Sequence, residues 1–404
     1  GRPAEAEPGE SLLAALWNAG HLAVRTSVRG EPRGPLCGMG TCFECRVSVD
    51  GEPHRRACLE PVRDGMAVAT LGSALEAAGI PSPRAEAAPL AVEVVVVGAG
   101  PAGIAAAVHA AEAGKSTLLI DEAARPGGQI WRGEPPASAR PWMERLAGSG
   151  ATVRTGAAVV DAPAPGRLLV ASGDAVLRVS YERLVLATGA RELFLPFPGW
   201  TLPGVVGAGG AQALVKAGAR VSGRRVVVAG SGPLLVAVAA TLARAGARVV
   251  GIAEQAPLGR LVAFGAGLWR QPRKIGEAAG YASALVGVPY RAGAWVREAL
   301  GRERVERVLV TDGRREWEWR CDVLACGFGL VPNLELPRLL GCEATADAVV
   351  VDASQQTSLP RVFAAGEIVG VAGVDHALSS GAVAGLAAAG REAPRTFLDR
   401  WRHE

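Results

Sequence analysis

The chain has 404 residues, enough for two or three domains, and 49% of them are apolar, which excludes an intrinsically disordered protein. The formal net charge is only +4, so composition gives no support to nucleic-acid binding. The longest apolar run reads as a strand, a glycine turn and an alanine-rich helix, and Glu93, His109 and Glu112 interrupt it. We therefore predict no transmembrane segment.

A short helix over residues 11–20 is the first predicted element, with Ser11 as its N-cap and Gly20 at its end. Four of the seven cysteines then fall within 22 residues, at Cys37, Cys42, Cys45 and Cys58. The spacing C-x4-C-x2-C followed by a more distant cysteine is the plant-type ligand pattern of a [2Fe–2S] cluster. Gly38 and Gly40 lie between the first two cysteines and allow the positive φ angles of a tight loop.

The fourth cysteine is predicted to follow a hairpin, because Val47 and Val49 alternate with polar residues up to an Asp50-Gly51 turn. A zinc site would favour two separated cysteine pairs. A disulfide framework would need an oxidising compartment, and the sequence shows no secretory leader. The pattern therefore favours the cluster, and reduced cysteines predict a cytoplasmic protein, although the first residue is Gly1 and not Met.

Residues 76–90 are rich in alanine and proline and predict a linker, after which a strand–turn–helix unit opens. Gly98, Gly100 and Gly103 form G-x-G-x-x-G between a valine-rich strand and the helix. This pattern is typical of a dinucleotide-binding turn, with Pro101 and Ala102 beside the helix N-terminus that receives a diphosphate. Asp121 and Glu122 follow the next strand, where a carboxylate can bind the adenosine ribose.

A second strand–turn–helix unit opens near Arg224 and aligns without a gap with the first. It keeps Gly230 and Gly232 but has Leu235 at the third glycine position, which predicts looser packing of helix on strand. The position that matches Asp121 is Ala253, and Glu254 is one residue further on. Glu254 could bind a ribose or could be an exposed acid at a helix entry. The pattern leaves open NAD(P), another adenine nucleotide, or a vestigial site.

Three further stretches carry a resemblance: "RPGGQIW" (125–131), "LVLATGARE" (184–192) and "RVFAAGEIVG" (361–370). Their order resembles that of flavoprotein reductases with two dinucleotide domains, such as glutathione and thioredoxin reductases. The resemblance implies a set of residues along FAD: Gly127, Gly128, Gln129, Thr188, Gly189, Gly366 and Glu367. Glu367 stands where that family usually has Asp, so its reach towards the flavin differs.

Together with "CGFGLVPNLELPRLLGCE" (326–343), the cluster domain makes the chain similar to a narrower family. It resembles the α subunits of opine oxidase, D-hydroxyproline and proline dehydrogenases, heterotetrameric sarcosine oxidase and hydrogen cyanide synthase. The resemblance implies an electron-transfer subunit in a hetero-oligomer, whose FAD-containing β-type partner oxidises an amine. It names no catalytic residue in this chain.

The predicted fold class is α/β: two Rossmann-like dinucleotide-binding domains preceded by a small α+β ferredoxin-like domain. The predicted domains are residues 1–75 for the cluster, 91–206 with 321–404 for FAD, and 207–320 for NAD(P).

Outside these patterns, the sequence predicts buried, unreactive Cys321, Cys326 and Cys342. No C-x-x-C dithiol lies in the second domain, so disulfide reduction is not expected. His376 is predicted to cap or pack a helix near the flavin rather than to act in catalysis. Two alternative functions stay open: a self-contained NAD(P)H-dependent reductase, and a scaffold subunit with structural nucleotides.

Overall fold

The computed structural model describes residues 3–72, 85–86, 88–173, 175–267, 272–394 and 397. The predicted first helix forms, and the Ser11 side chain accepts a hydrogen bond from the amide of Ala14 (3.2 Å), as expected of an N-cap. The first segment contains α1 (Leu12–Asn18), β1 (Arg25–Thr26), β2 (Pro32–Arg33), β3 (Arg46–Val49), β4 (Glu52–Arg56) and β5 (Val68–Thr70). Most of the predicted linker, residues 76–90, lies outside the described residues.

The predicted hairpin is confirmed. Strands β3 and β4 pair antiparallel, and the turn between them has positive φ at Asp50 (51°) and Gly51 (86°). Val47 and Val49 are buried, as their alternation predicted, and β5 completes a sheet of order β4-β3-β5. This small sheet and α1 form the α+β domain at the start of the chain.

The next segment holds the first dinucleotide-binding half. It contains β6 (Ala85–Glu86), β7 (Leu90–Val97), α2 (Pro101–Glu112), β8 (Thr117–Ile120), α3 (Arg140–Gly148), β9 (Thr152–Arg154), β10 (Ala157–Ala164), β11 (Arg167–Ser172), β12 (Ala175–Leu186) and β13 (Ala190–Glu192). The sheet runs β10-β11-β12-β7-β8-β9, and β7 is parallel to both β8 and β12. Branched apolar residues fill the central strands because both faces of the sheet are covered.

The third segment repeats this plan. It contains β14 (Val205–Gly207), α4 (Ala208–Lys216), β15 (Arg225–Gly230), α5 (Leu234–Arg244), β16 (Arg248–Glu254), α6 (Leu258–Gly267), α7 (Pro272–Ala284), β17 (Tyr290–Ala292), β18 (Trp295–Leu300), β19 (Arg307–Thr311), β20 (Glu316–Arg320) and β21 (Val323–Gly327). Its parallel sheet has the order β14-β21-β15-β16-β17, and β18, β19 and β20 form an antiparallel sheet.

The last segment contains β22 (Leu330–Pro332), α8 (Glu335–Leu340), β23 (Val362–Ala364), a 3-10 turn (Gly366–Val369) and α9 (Val374–Ala388). Strand β23 joins the first large sheet beside β12. The chain thus forms two compact units: Gly1–Ala78 with Glu192–Gly329, and Gly79–Arg191 with Leu330–Glu404. The predicted α/β fold class is confirmed, and the finer domain boundaries stay a prediction.

Parallel register places the predicted nucleotide residues at one edge of the first sheet. Val97 pairs with Ile120 and with Leu186, and Leu186 pairs with Ala364. The loops that follow these four strand ends begin at one edge of the sheet, the carboxyl edge, where open α/β sheets bind their ligands.

Candidate functional site

The first glycine loop leaves no room for side chains at two of its positions. Gly98 has φ +103°, and a Cβ atom there would overlap the carbonyl oxygen of Ala187. A Cβ atom on Gly103 would overlap the carbonyl oxygen of Gly98. Helix α2 therefore starts directly against the strand, with Gly100 as its N-cap and its first amides pointing towards the loop.

Asp121 closes this loop from the neighbouring strand. Its carboxylate accepts hydrogen bonds from the amides of Ala99 (2.5 Å) and Ala123 (2.7 Å), and burial raises its pKa. Glu122 follows it and is half-buried. Asp121 thus contacts the glycine loop directly, and Glu122 is its neighbour in the chain.

The segment 127–129 packs on the same loop. The amide of Gly127 donates to the carbonyl oxygen of Ala99 (2.7 Å), and a Cβ atom on Gly128 would lie 2.9 Å from Cα of Gly100. Gln129 is exposed. Backbone meets backbone here, and the glycine at position 128 allows this close approach.

Asn333 is a residue that sequence reasoning missed, and it fixes the predicted Thr188-Gly189 segment. Its side-chain amide donates to the carbonyl oxygen of Thr188 (2.8 Å), its backbone amide donates to that of Gly189 (2.9 Å), and its own carbonyl accepts from the Thr188 hydroxyl (2.9 Å). The signal was present in the stretch "GLVPN", which contributed only to the family resemblance.

Gly366 and Glu367 open the 3-10 turn that precedes α9. The amide of Gly366 donates to the hydroxyl of Ser380 (3.0 Å), and Glu367 accepts from the amide of Gly373 (3.0 Å). His376 in the first turn is buried, and its Nδ1 atom has no hydrogen-bond partner among the described residues. A buried imidazole nitrogen without a partner in the first turn of α9 fits a polar ligand such as FAD.

The second glycine loop corrects one expectation. A one-residue register shift between Val226 and Val227 places Glu254, not Ala253, opposite Gly230. Glu254 is 1% exposed, so the interpretation as an exposed helix-entry acid is wrong. Its carboxylate accepts from the amides of Gly232 (3.0 Å) and Ala256 (2.8 Å), as Asp121 does in the first loop.

Leu235 in the second loop is fully buried. It belongs to a core that also contains Trp17 of α1 and Val47 of β3. Residues of the cluster domain and of the second dinucleotide-binding half therefore share one hydrophobic core.

The four cysteines of the cluster loop approach one another as two pairs. A hydrogen bond with Cys42 lowers the pKa of the Cys37 thiol to about 5, and one with Cys58 lowers the pKa of Cys45. The amides of Met39 and Glu44 donate to the sulfurs of Cys37 (3.3 Å) and Cys42 (3.5 Å). In the described part of the chain no three His, Cys, Asp or Glu side chains converge as on a single metal ion.

Two pairs of thiolates fit a two-iron cluster, in which each iron takes two cysteines. Gly38 (φ 62°) and Gly40 (φ 90°) adopt the predicted left-handed conformation. The three remaining cysteines, Cys321, Cys326 and Cys342, are buried as predicted. Among helices in the described residues, none is long and apolar enough to cross a membrane.

Comparison with family models gives two matches. Residues 92–385 match the pyridine nucleotide-disulphide oxidoreductase family, and residues 1–73 match the 2Fe-2S iron-sulfur cluster binding domain. The first match spans well over half of the chain. Together they establish FAD and a [2Fe–2S] cluster as the cofactors, as the sequence predicted.

Among curated proteins, the chain is 34% identical to hydrogen cyanide synthase subunit HcnB of Pseudomonas protegens, over 74% of this chain and 70% of that protein. It is 32% identical to an opine oxidase subunit of Rhizobium meliloti, over 77% and 74%. Among solved structures it resembles L-proline dehydrogenase from P. horikoshii, with a TM-score of 0.71, 22% identity, and coverage of 100% of this chain and 75% of the other. That likeness concerns the fold.

Proposed function

Because this chain belongs to the pyridine nucleotide-disulphide oxidoreductase family, in the group of HcnB and the opine oxidase subunit, we propose that it is the electron-transfer subunit of an amine or amino-acid dehydrogenase. A flavin-binding half and an iron–sulfur domain in one oxidoreductase chain carry the proposal. When bound, FAD accepts electrons in pairs and the cluster passes them on singly. The electrons come from a C–N bond oxidised in a β-type flavoprotein partner within a hetero-oligomer, and they leave to an external acceptor.

The first glycine loop holds FAD in this proposal. Gly98, Gly100 and Gly103, with Pro101 and Ala102, bring backbone amides and the start of α2 to the diphosphate. The acids Asp121 and Glu122 would hold the ribose. The segments that complete the site are Gly127–Gln129, Thr188-Gly189 and Gly366-Glu367. Their support is the common sheet edge and the close backbone packing around Gly100.

The four thiolates of Cys37, Cys42, Cys45 and Cys58 hold the cluster in this proposal. Donation from the Met39 amide favours the charged form of Cys37, because a hydrogen bond to a thiolate stabilises its negative charge, and the Glu44 amide donates to the sulfur of Cys42. Burial of Cys37, Cys45 and Cys58 keeps water away from three of the four sulfurs.

A second candidate function is direct reduction by NAD(P)H. The observation in its favour is Glu254, which the register shift brings to the position that Asp121 occupies in the first loop. In this second candidate function, Gly230, Gly232 and Glu254 bind NAD(P) or another adenine nucleotide. Leu235, which replaces the third glycine, argues for a less closely built site.

An anaerobic titration of the purified chain separates these functions. We expect NADH and NADPH to leave the oxidised flavin spectrum unchanged, while dithionite bleaches it and produces the EPR signal of a reduced cluster. With the co-purified partner subunit, L-proline or an opine should produce the same changes. Stoichiometric bleaching by NADH in the chain alone would establish the second candidate instead. If no amine bleaches the flavin in the intact complex, the remaining function is that of a scaffold subunit with structural nucleotides.

A further inference from the structure

A buried carboxylate that the proposed function does not use lies in the unit that contains the cluster loop. Glu192 is 3% exposed and accepts hydrogen bonds from the amides of Gly209 (2.7 Å) and Gly210 (3.0 Å) in the first turn of α4. Burial raises the pKa of this carboxyl to about 7, and the nearby charge of Cys37 adds to the rise. These amides have no partner inside their own helix, so the carboxylate satisfies them from another element.

The cluster loop rests on the same helical turn. The amide of Gly207 donates to the carbonyl oxygen of Leu36 (2.7 Å). A Cβ atom on Gly210 would lie 2.9 Å from the carbonyl oxygen of Cys37, and one on Gly38 would lie 3.1 Å from that of Gly210. The turn is therefore in backbone contact with the cluster loop.

Glu192 and the cluster loop meet at Gly209. A Cβ atom at that position would lie 3.2 Å from Cε of Met39 and 3.3 Å from the carboxyl carbon of Glu192. Met39 is two residues from Cys37. The carboxylate thus reaches the surroundings of the first cluster ligand through one helical turn.

We propose that Glu192 is a positioning residue for the [2Fe–2S] cluster: it fixes the first turn of α4 as the seat of the cluster loop and lowers the reduction potential of the cluster. The N-terminus of a helix carries partial positive charge, which favours the more negative, reduced cluster. Glu192 offsets that charge and engages the two amides that carry it. Net charge and hydrogen bonding near the sulfurs are known determinants of cluster potential. The proposal concerns the cluster alone and does not depend on which donor reduces it.

The test compares Glu192→Gln with a matched control, Glu254→Gln, in the holo-chain. Glu254 is equally buried in the same unit and also accepts two backbone amide hydrogen bonds, but at the second glycine loop. Both variants are compared with the unmodified chain well above pH 7, where Glu192 is ionised, so that in each the amide removes the charge and turns an NH2 group towards a backbone N–H. The readouts are the cluster midpoint potential from a dye-mediated EPR titration with dithionite, and the iron, flavin and thermal unfolding of each variant.

We expect Glu192→Gln to shift the reduction equilibrium of the cluster about tenfold towards the reduced form, which raises the midpoint potential by about 59 mV for one electron. Glu254→Gln should leave the midpoint potential unchanged. Loss of iron from Glu192→Gln alone, with flavin and unfolding like those of Glu254→Gln, would also support the positioning role. An unchanged potential at full iron content would overturn the proposal, and so would equal shifts in both variants. If Glu192→Gln does not fold, Glu192→Asp decides: retained iron with an altered potential supports the role, and an unchanged potential or loss of iron, flavin and fold together refutes it.

Discussion

The two glycine loops of this chain have similar hydrogen bonding, but they differ in how the following helix packs. In both, a parallel strand ends at a glycine of positive φ, and an acid at the end of the next strand accepts one amide of the loop and the amide two residues beyond itself. They differ at the third glycine position. Gly103 lets α2 begin three residues after Gly98, whereas Leu235 belongs to a helix that begins four residues after Gly230.

The residue at the third glycine position determines what packs against each loop. The first loop brings helix and strand into backbone contact, which opens the approach that a diphosphate needs. In the second loop the third glycine position is Leu235, which adds a buried side chain to the core shared with the cluster domain. One region fits the proposed FAD site, and the other contributes to the packing of the cluster unit.

The largest effect on flavin content is expected from Gly103→Ala, which gives the first loop a side chain. The new methyl group would overlap the carbonyl oxygen of Gly98, so helix and strand must separate. Overpacking of this kind costs about 1–3 kcal/mol, so FAD affinity should fall about tenfold or more. The flavin-to-protein absorbance ratio measures it. Gly148→Ala is the control, because a Cβ atom there meets open space; a normal flavin content in Gly103→Ala would contradict the role given to this contact.

Leu235→Ala in the second loop is expected to have little effect on the flavin and to act on the stability of the cluster unit. Removing a fully buried leucine costs about 2–5 kcal/mol, and the loss should appear in urea unfolding followed at the cluster absorbance, with flavin content unchanged. Leu258 is 66% exposed, so Leu258→Ala serves as control and should shift stability by less than about 0.5 kcal/mol. Equal stability of the two variants would show that Leu235 is not a core contact.

The smallest effect is expected from Glu93→Gln, in the strand that precedes the first glycine loop. Glu93 accepts from Lys115 Nζ (2.7 Å) and from the Ser116 amide (2.9 Å), which lowers its pKa to about 2. Because the folded pKa lies below the unfolded value of 4.5, this stabilisation is complete above pH 4.5 and is lost as pH falls towards 2. Glu93→Gln should therefore lower Tm slightly at neutral pH, with a gap that closes on acidification. A gap that stays constant with pH, or one matched by Glu303→Gln at an exposed position, would refute the linkage.

Much of the molecule was predictable because its signals are local. The spacing of Cys37 to Cys58, the glycines at 98, 100 and 103, and the Asp50-Gly51 turn each constrain a short piece of chain. Local backbone geometry decides such features, so the cluster loop, the first nucleotide turn and the hairpin formed as predicted. The sequence by itself thus determined the cofactor set and the α/β class.

Tertiary structure decided what depends on register and on distant contacts. The one-residue shift beside Val227 has no local signature, yet it moves Glu254 into the loop. Asn333 bonds to residues near 188, and Glu192 reaches the cluster loop through α4; both contacts join segments more than a hundred residues apart. Sequence periodicity reports which face of an element is buried, but it does not report what covers that face. For that reason only the folded chain revealed that the cluster loop rests on the second dinucleotide-binding half.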